Sequence, residues 1–327
     1  MNTKNNFFRM SLFIFAALLI TFTSCRKDDD DTTDPTPTVD YKKEMADYMK
    51  ANAMDLNEVI TAWTISAHDL DSIGIANYYI IDLRSSTDFA AGHIEGAHNT
   101  SLANIVGEAA NANGKPIVVA CYTGQTAAHG HVALRLSGYS DCKILLFGMS
   151  SWNADFDVWS SNAGDAAVGH TNWSSTNTLA DNVAFSEPTF TSSATTGEAI
   201  LADRVQKMLD NGFQGITNTD VLDNPSNYFI NNYWVETDVD HYGHIKEAHR
   251  IKEDLTLAIG GFKYYDKDET VVTYCWTGQT SSAITAYLNI LGYNAKSLKF
   301  GANGMIYSDL QVHKWPGSGS YTYVTSK

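Results

Sequence analysis

The sequence predicts an α/β protein built as a tandem duplication, each half a central parallel β-sheet with helices on both faces. Three observations predict it. The hexapeptide Cys-x-Thr-Gly-Gln-Thr occurs twice, at Cys121 to Thr126 and Cys275 to Thr280. Each copy follows a β-branched run, Ile117-Val118-Val119-Ala120 or Val271-Val272-Thr273-Tyr274, and Gly-Tyr falls 17 residues after each cysteine. Apolar runs without alternation, such as Tyr78-Tyr79-Ile80-Ile81, suit strands covered on both faces, and helical spacings separate them.

The elements follow in order. Residues 42–59 carry helical spacing through Met45, Met49, Ala53, Leu56 and Val59. Thr64-Ile65-Ser66 reads as a short strand running into a helix start at Ser66-Ala67-His68-Asp69. A strand over 78–84 leads to the Gly-punctuated loop Gly92-His93-Ile94-Glu95-Gly96-Ala97. The Cys121 strand and loop, a helix over about 127–137 and a last strand over 144–147 complete the half. Residues 160–198, rich in Ser, Thr, Asn, Gly and Ala, read as a linker. The second half repeats the order: a helix over 199–209, a strand and helix start over 215–220, Tyr228-Phe229-Ile230, then Gly243-His244-Ile245. The Gly-His-Ile segments are offset by 151 residues and the cysteines by 154. Counting back from Gly243, the counterparts of Asp82 and Arg84 are Tyr233 and Val235.

The N-terminus reads as an export signal. Lys4 and Arg9 precede an apolar stretch, Met10 to Phe22, too short to span a bilayer comfortably. It ends in Phe22-Thr23-Ser24-Cys25, which resembles a bacterial lipobox with Cys25 as the lipidated residue. The predicted organisation is a signal peptide (1–24), a flexible acidic tether (25–43), domain 1 (44–159), the linker (160–198) and domain 2 (199–318). The expected location is exported, lipid-anchored to the bacterial outer membrane on its periplasmic side or at the cell surface. A formal net charge of −15 argues against a nucleic-acid partner. Four cysteines, one of them Cys25, leave an odd number and no disulfide framework.

A cysteine at a strand end, a small-residue loop and a helix start together form a cradle for a thiolate. Loop amides and the helix N-terminus both face the sulfur. Cys121 and Cys275 are therefore the expected nucleophiles, with thiol pKa values lowered toward neutrality. Tyr122, Thr123, Gly124, Gln125 and Thr126 form the expected substrate-binding loop in one half, and Trp276, Thr277, Gly278, Gln279 and Thr280 in the other. Cys142 opens the last strand while Cys121 closes its own, so the two lie at opposite sheet ends and Cys142 is structural. His129, His131 and Cys142 lack metal-ligand spacing, so no metal or other cofactor is expected.

The order Ile81-Asp82-Leu83-Arg84, Gly92 to Ala97, the Cys121 loop, Gly138-Tyr139 and Phe147-Gly148-Met149 with Trp152 resembles the rhodanese (thiosulfate sulfurtransferase) superfamily. The resemblance implies two rhodanese-like domains. It also implies a cysteine persulfide that takes sulfane sulfur from thiosulfate, a persulfide or a mercapto compound and gives it to cyanide or a thiol. Asp82, Arg84, His93 and His244 are expected to support loops. Neither loop contains Lys or Arg, unlike the best-known thiosulfate enzymes. The Arg that a phosphatase needs to close its anion loop is absent as well; Ala127-Ala128 and Ser281-Ser282 stand there. The alternative function is a non-catalytic module that binds or stores reactive sulfur or a partner protein.

Overall fold

The computed structural model describes residues 39–176 and 178–326. The signal peptide, Cys25 and most of the tether lie outside them.

The first half runs α1 (Tyr41–Ala51), α2 (Leu56–Val59), β1 (Thr64–Ile65), α3 (Ala67–Ile73), β2 (Tyr79–Asp82) and α4 (Ser86–Ala91). It continues through β3 (His98–Asn99), α5 (Ile105–Ala109), β4 (Ile117–Ala120), α6 (Gln125–Leu136), β5 (Cys142–Leu145) and α7 (Met149–Trp152). Its five strands are all parallel, in the order β1-β5-β4-β2-β3. Every residue of β2 and β4 is buried, which is why their runs do not alternate; Asp82, the charged residue at the end of β2, is paired with Arg84.

The second half contains β6 (Trp173–Ser174), α8 (Gly197–Asp210), β7 (Gly215–Ile216), α9 (Asn218–Asp223), β8 (Phe229–Asn232) and α10 (Glu236–Tyr242). β9 (His244–Ile245), β10 (Val271–Tyr274), α11 (Gln279–Leu291) and β11 (Ala295–Leu298) follow. Four of its strands form a parallel sheet, β7-β11-β10-β8. The expected α/β duplication with parallel sheets is therefore present. β6, inside residues 160–198, pairs antiparallel with β9. The chain end returns to the first half: Gly319 N–H bonds Ser151 O, Tyr321 N–H bonds Trp152 O, and His93 N–H bonds Val324 O.

Three sequence expectations shift. The single helix over 42–59 is two helices, because Asp55 caps α2 and also accepts from Leu257 and Ala258 N–H at 2.8 and 3.1 Å. The last strand of the first half spans Cys142–Leu145 rather than 144–147, opening at Cys142 as its place after the helix implied. The counterparts of Asp82 and Arg84 are Asn232 and Trp234, not Tyr233 and Val235. Asp82 is registered with Ala120 and Asn232 with Tyr274, each just before the loop cysteine. α10 has seven residues and α4 six, so counting back from Gly243 slips by one.

α6 packs against α11, and one core built from both halves surrounds them. Both helices are buried nearly all round, as helices between two layers must be. Filling that core with side chains such as Val132, Leu134, Ile284 and Leu288 contributes roughly 1.5–3 kcal/mol each. The packing brings the starts of α6 and α11, and with them the two loops, against one another.

Candidate active site

Cys121 follows the last residue of β4 at the C-terminal edge of the sheet, where open α/β folds place ligands. Gly124 turns the chain at φ +81° and α6 begins at Gln125. The sulfur accepts from Gly124 N–H at 3.1 Å and from Ala127 N–H at 3.4 Å. Beneath the loop, Met149 N–H donates to Cys121 O and Ser150 N–H to Tyr122 O. Gly148, at φ +63°, lies so close that a Cβ there would stand 2.3 Å from Cys121 O.

Cys121 is 4 % exposed. Burial raises its thiol pKa, and the amides of Ala127, Thr123, Gly124 and Thr126 oppose the rise without overcoming it. This corrects the expectation of a lowered resting pKa: the amide cradle is present, but desolvation outweighs it.

The second loop repeats the backbone and changes what surrounds the sulfur. Cys275 is 2 % exposed. Its sulfur accepts from Ser281 N–H at 3.3 Å and lies 3.5 Å from Ser281 Oγ, where the first half has Ala127. Ser281 Oγ is 2.8 Å from Ser297 Oγ, which also receives Ser282 Oγ–H at 3.1 Å. Gly301 fills the place of Gly148, and Ala302 N–H donates to Cys275 O.

The two glutamines cross between halves. Gln279 Oε1 accepts from Phe147 N–H at 2.9 Å, and Gln125 Oε1 accepts from Phe300 N–H at 3.0 Å. Phe147 and Phe300 sit at φ +62° and +63° and directly precede Gly148 and Gly301. Gln279 also packs on Gly124, and Gln125 on Gly278. Each glutamine therefore fixes the segment beneath the other half's cysteine loop.

The remaining loop residues stand as follows. Thr123 and Thr277 place their Oγ1 3.3 and 3.5 Å from the backbone N of Gln125 and Gln279, accepting from the first residue of each helix. Tyr122, Thr126, Trp276 and Thr280 are half-buried at the rims. Arg84 grips Asp82 through Nε and Nη2, donates to Gly92 O at 2.6 Å, and lies over Tyr122 at 5.1 Å. In the second half Trp234 stacks on Trp276 with ring centres 4.4 Å apart.

His93 Nδ1 meets Phe89 O at 2.8 Å. His244 meets Ile245 O and Thr176 O. These contacts tie both histidines to backbone carbonyls. Cys142 is registered with Ile117, at the other end of β4 from Cys121, and burial holds its thiol far above the ordinary range. Cys121, Cys142 and Cys275 are free thiols. Among the described residues no cluster of three His, Cys, Asp or Glu side chains is placed to hold a metal ion.

Sequence reasoning missed two residues at the second sulfur. Tyr233 N–H donates to Tyr274 O, which sets Tyr233 beside Cys275. Lys252 Nζ lies 4.2 Å from the centre of the Tyr233 ring. Carrying the 151-residue offset past Gly-His-Ile would have found Lys252, since it stands opposite Ser101.

The rhodanese-like domain family matches this chain at residues 66–155 and 201–306. A thiosulfate sulfurtransferase, GlpE, from Shewanella oneidensis is 35% identical over 77 residues, covering 23% of this chain and 74% of its own. Its counterpart from Pseudomonas fluorescens is 33% identical over 79 residues, covering 24% and 72%. Among solved structures, the 3-mercaptopyruvate sulfotransferase SseA of Escherichia coli matches at 16% identity and a TM-score of 0.26, covering 74% of this chain and 98% of its own.

Proposed function

Since this chain belongs to the rhodanese-like family, whose sulfurtransferase activity is its premise, we propose that it carries sulfane sulfur as a persulfide on Cys121 and on Cys275. The observation that carries the proposal is the twice-built cradle: a cysteine at a strand end with Gly124 and Ala127 N–H, or Ser281 N–H, on its sulfur. The thiolate attacks the outer sulfur of the donor. The donor's S–S bond breaks, its leaving group departs with the electron pair, and Cys–S–S⁻ remains. A thiol or cyanide acceptor then attacks that outer sulfur and the cysteine thiolate leaves. The amides would stabilise the anion in both steps at no reorganisation cost.

Intact mass before and after a persulfide or thiosulfate donor tests this. One sulfur gained per active cysteine, removed by a thiol and lost on Cys121→Ser or Cys275→Ser, is the expected result. No gain from any donor with folded protein and free thiols sinks it. That result would leave the second reading, a non-catalytic sulfur- or partner-binding module, which the burial of both sulfurs favours.

The chain is further proposed to be exported and lipid-anchored at Cys25. Membrane fractionation of the full chain should move it to the soluble fraction on Cys25→Ser. Unchanged partitioning would exclude the anchor.

A further inference from the structure

The two sulfurs differ in what stands beside them. Leu83 N–H donates to Ala120 O at 2.9 Å, and Tyr233 N–H donates to Tyr274 O at the same distance. Leu83 and Tyr233 thus occupy one position, alongside Cys121 and Cys275 respectively. His98 is registered with Ile81 in the first half, and His249 bridges Asn231 in the second. The chain leaves both sheets in equivalent register, three residues before Ser101 and Lys252. Lys252 is half-buried, lies over Tyr233, and forms no ion pair among the described residues. Its neighbour Glu253 is bonded instead to Arg250. In the first half the nearby cation Arg84 is bound to Asp82 and Gly92 O.

We propose that Lys252, held on the Tyr233 ring, is an anion-reading specificity residue of the Cys275 site. It would select small sulfur donors that carry a sulfonate or carboxylate beside the transferable sulfur. The Cys121 site, with Leu83 and Ser101 in those places, takes donors without that charge. The inference rests on the sulfur-transfer reading of both loops. The Cys275 side chain is among the neighbours that act on the pKa of both Tyr233 and Lys252, behind their burial. Burial lowers the pKa of Lys252 and Arg250 adds to the fall; Glu253 opposes it most, ahead of Cys275 and Asp238. An ammonium partly withdrawn from water attracts an anion more strongly than a surface lysine does. With thiosulfate the step balances: the Cys275 thiolate attacks the sulfane sulfur, its bond to the sulfonate sulfur breaks, and sulfite leaves with the electron pair.

The test measures sulfur loading at each cysteine by peptide mass spectrometry on the full chain. Thiosulfate is one donor, and an alkyl hydropersulfide with an otherwise uncharged chain is the other. In Lys252→Met, thiosulfate loading of Cys275 should slow by about tenfold or more, the worth of one partly desolvated charge contact. Lys252→Arg should keep most of the rate. Alkyl persulfide loading of Cys275, and all loading of Cys121, should stay within about twofold, a difference smaller than one such contact. Unchanged thiosulfate loading in Lys252→Met, or equal loss with both donors, overturns the inference. Failure of wild-type Cys275 to load from either donor overturns the sulfur-transfer reading beneath it.

Discussion

The first and second halves share a backbone and differ in chemistry. Both have the cysteine at the strand end, the left-handed glycine, the crossed glutamine and the glycine floor. Around that frame, Ala127 faces Ser281, Leu83 faces Tyr233, Ser101 faces Lys252, and the Arg84–Tyr122 contact faces the Trp234–Trp276 stack. What the duplication keeps is the means of holding a sulfur anion. What it varies is what an incoming molecule meets. Side chains at the rim tolerate exchange, whereas the loop geometry does not. At Gly148 and Gly301 any Cβ would run into the cysteine's own carbonyl.

The comparison extends to acid stability, where the largest effect is expected. α6 buries His129 and His131; the same positions of α11 hold Ala283 and Thr285. Burial lowers the two histidines to about 3 and about 4. His129 Nε2 accepts from Gln214 N–H, a role only the neutral ring can fill, whereas His131 Nε2 donates to Val59 O, a bond that favours the charged ring but does not offset its burial. In the unfolded chain each would titrate near the ordinary value of about 6.5. Folded pKa values below the unfolded ones give stability that is complete above about pH 6.5 and is lost as pH falls toward 3–4. Unfolding free energy should therefore fall by on the order of a few kcal/mol across that window. Denaturant melts of His131→Gln should show a shallower fall. An identical slope would mean that the acid liability lies elsewhere, and α6 would not distinguish the halves.

Next in size is the crossing of the glutamines. Gln279→Met removes the acceptor of Phe147 N–H, a buried donor beneath the Cys121 loop. Leaving it unpaired costs about 1–3 kcal/mol. Sulfur loading should slow by about fivefold or more, most at Cys121. Gln125→Met should do the converse, slowing Cys275. Effects confined to the mutated half would show that the contact only fastens the halves together and does not shape the opposite loop.

The loops were legible because the cysteine, the turn glycine and the helix start lie within six contiguous residues, and the strand before and the helix after each announce themselves by composition. The parallel sheets were legible for the same reason: β2 and β4 are buried throughout, so their sequences do not alternate. Other features depend on distances that no local pattern encodes. Gln125 and Gln279 were read only as members of the substrate-binding loops, and their crossing was not foreseen because their partners are 175 and 132 residues away. Tyr233 was assigned to the wrong counterpart because one extra residue in α10 displaced the count. The resting thiol pKa was misjudged because the sequence displays the amides near Cys121 but not the burial that outweighs them.

The smallest effect expected is at Ser281. Its hydroxyl lies 3.5 Å from Cys275 Sγ and 2.8 Å from Ser297 Oγ. The first half has a methyl in its place, at Ala127. Ser281→Ala makes the second cradle resemble the first while the Ser282–Ser297 bond, the Gly278 turn and the Ser281 amide remain. A single neutral hydrogen bond is worth about 0.5–1.5 kcal/mol, so Cys275 loading should slow by roughly two- to tenfold and Cys121 should not respond. That outcome would make Ser281 a stabiliser of the sulfur anion that the first half lacks. If Cys275 instead loads as fast as in the parent chain, the hydroxyl belongs to the serine cluster rather than to the sulfur. The difference between the two sites would then lie in the residues at their mouths alone.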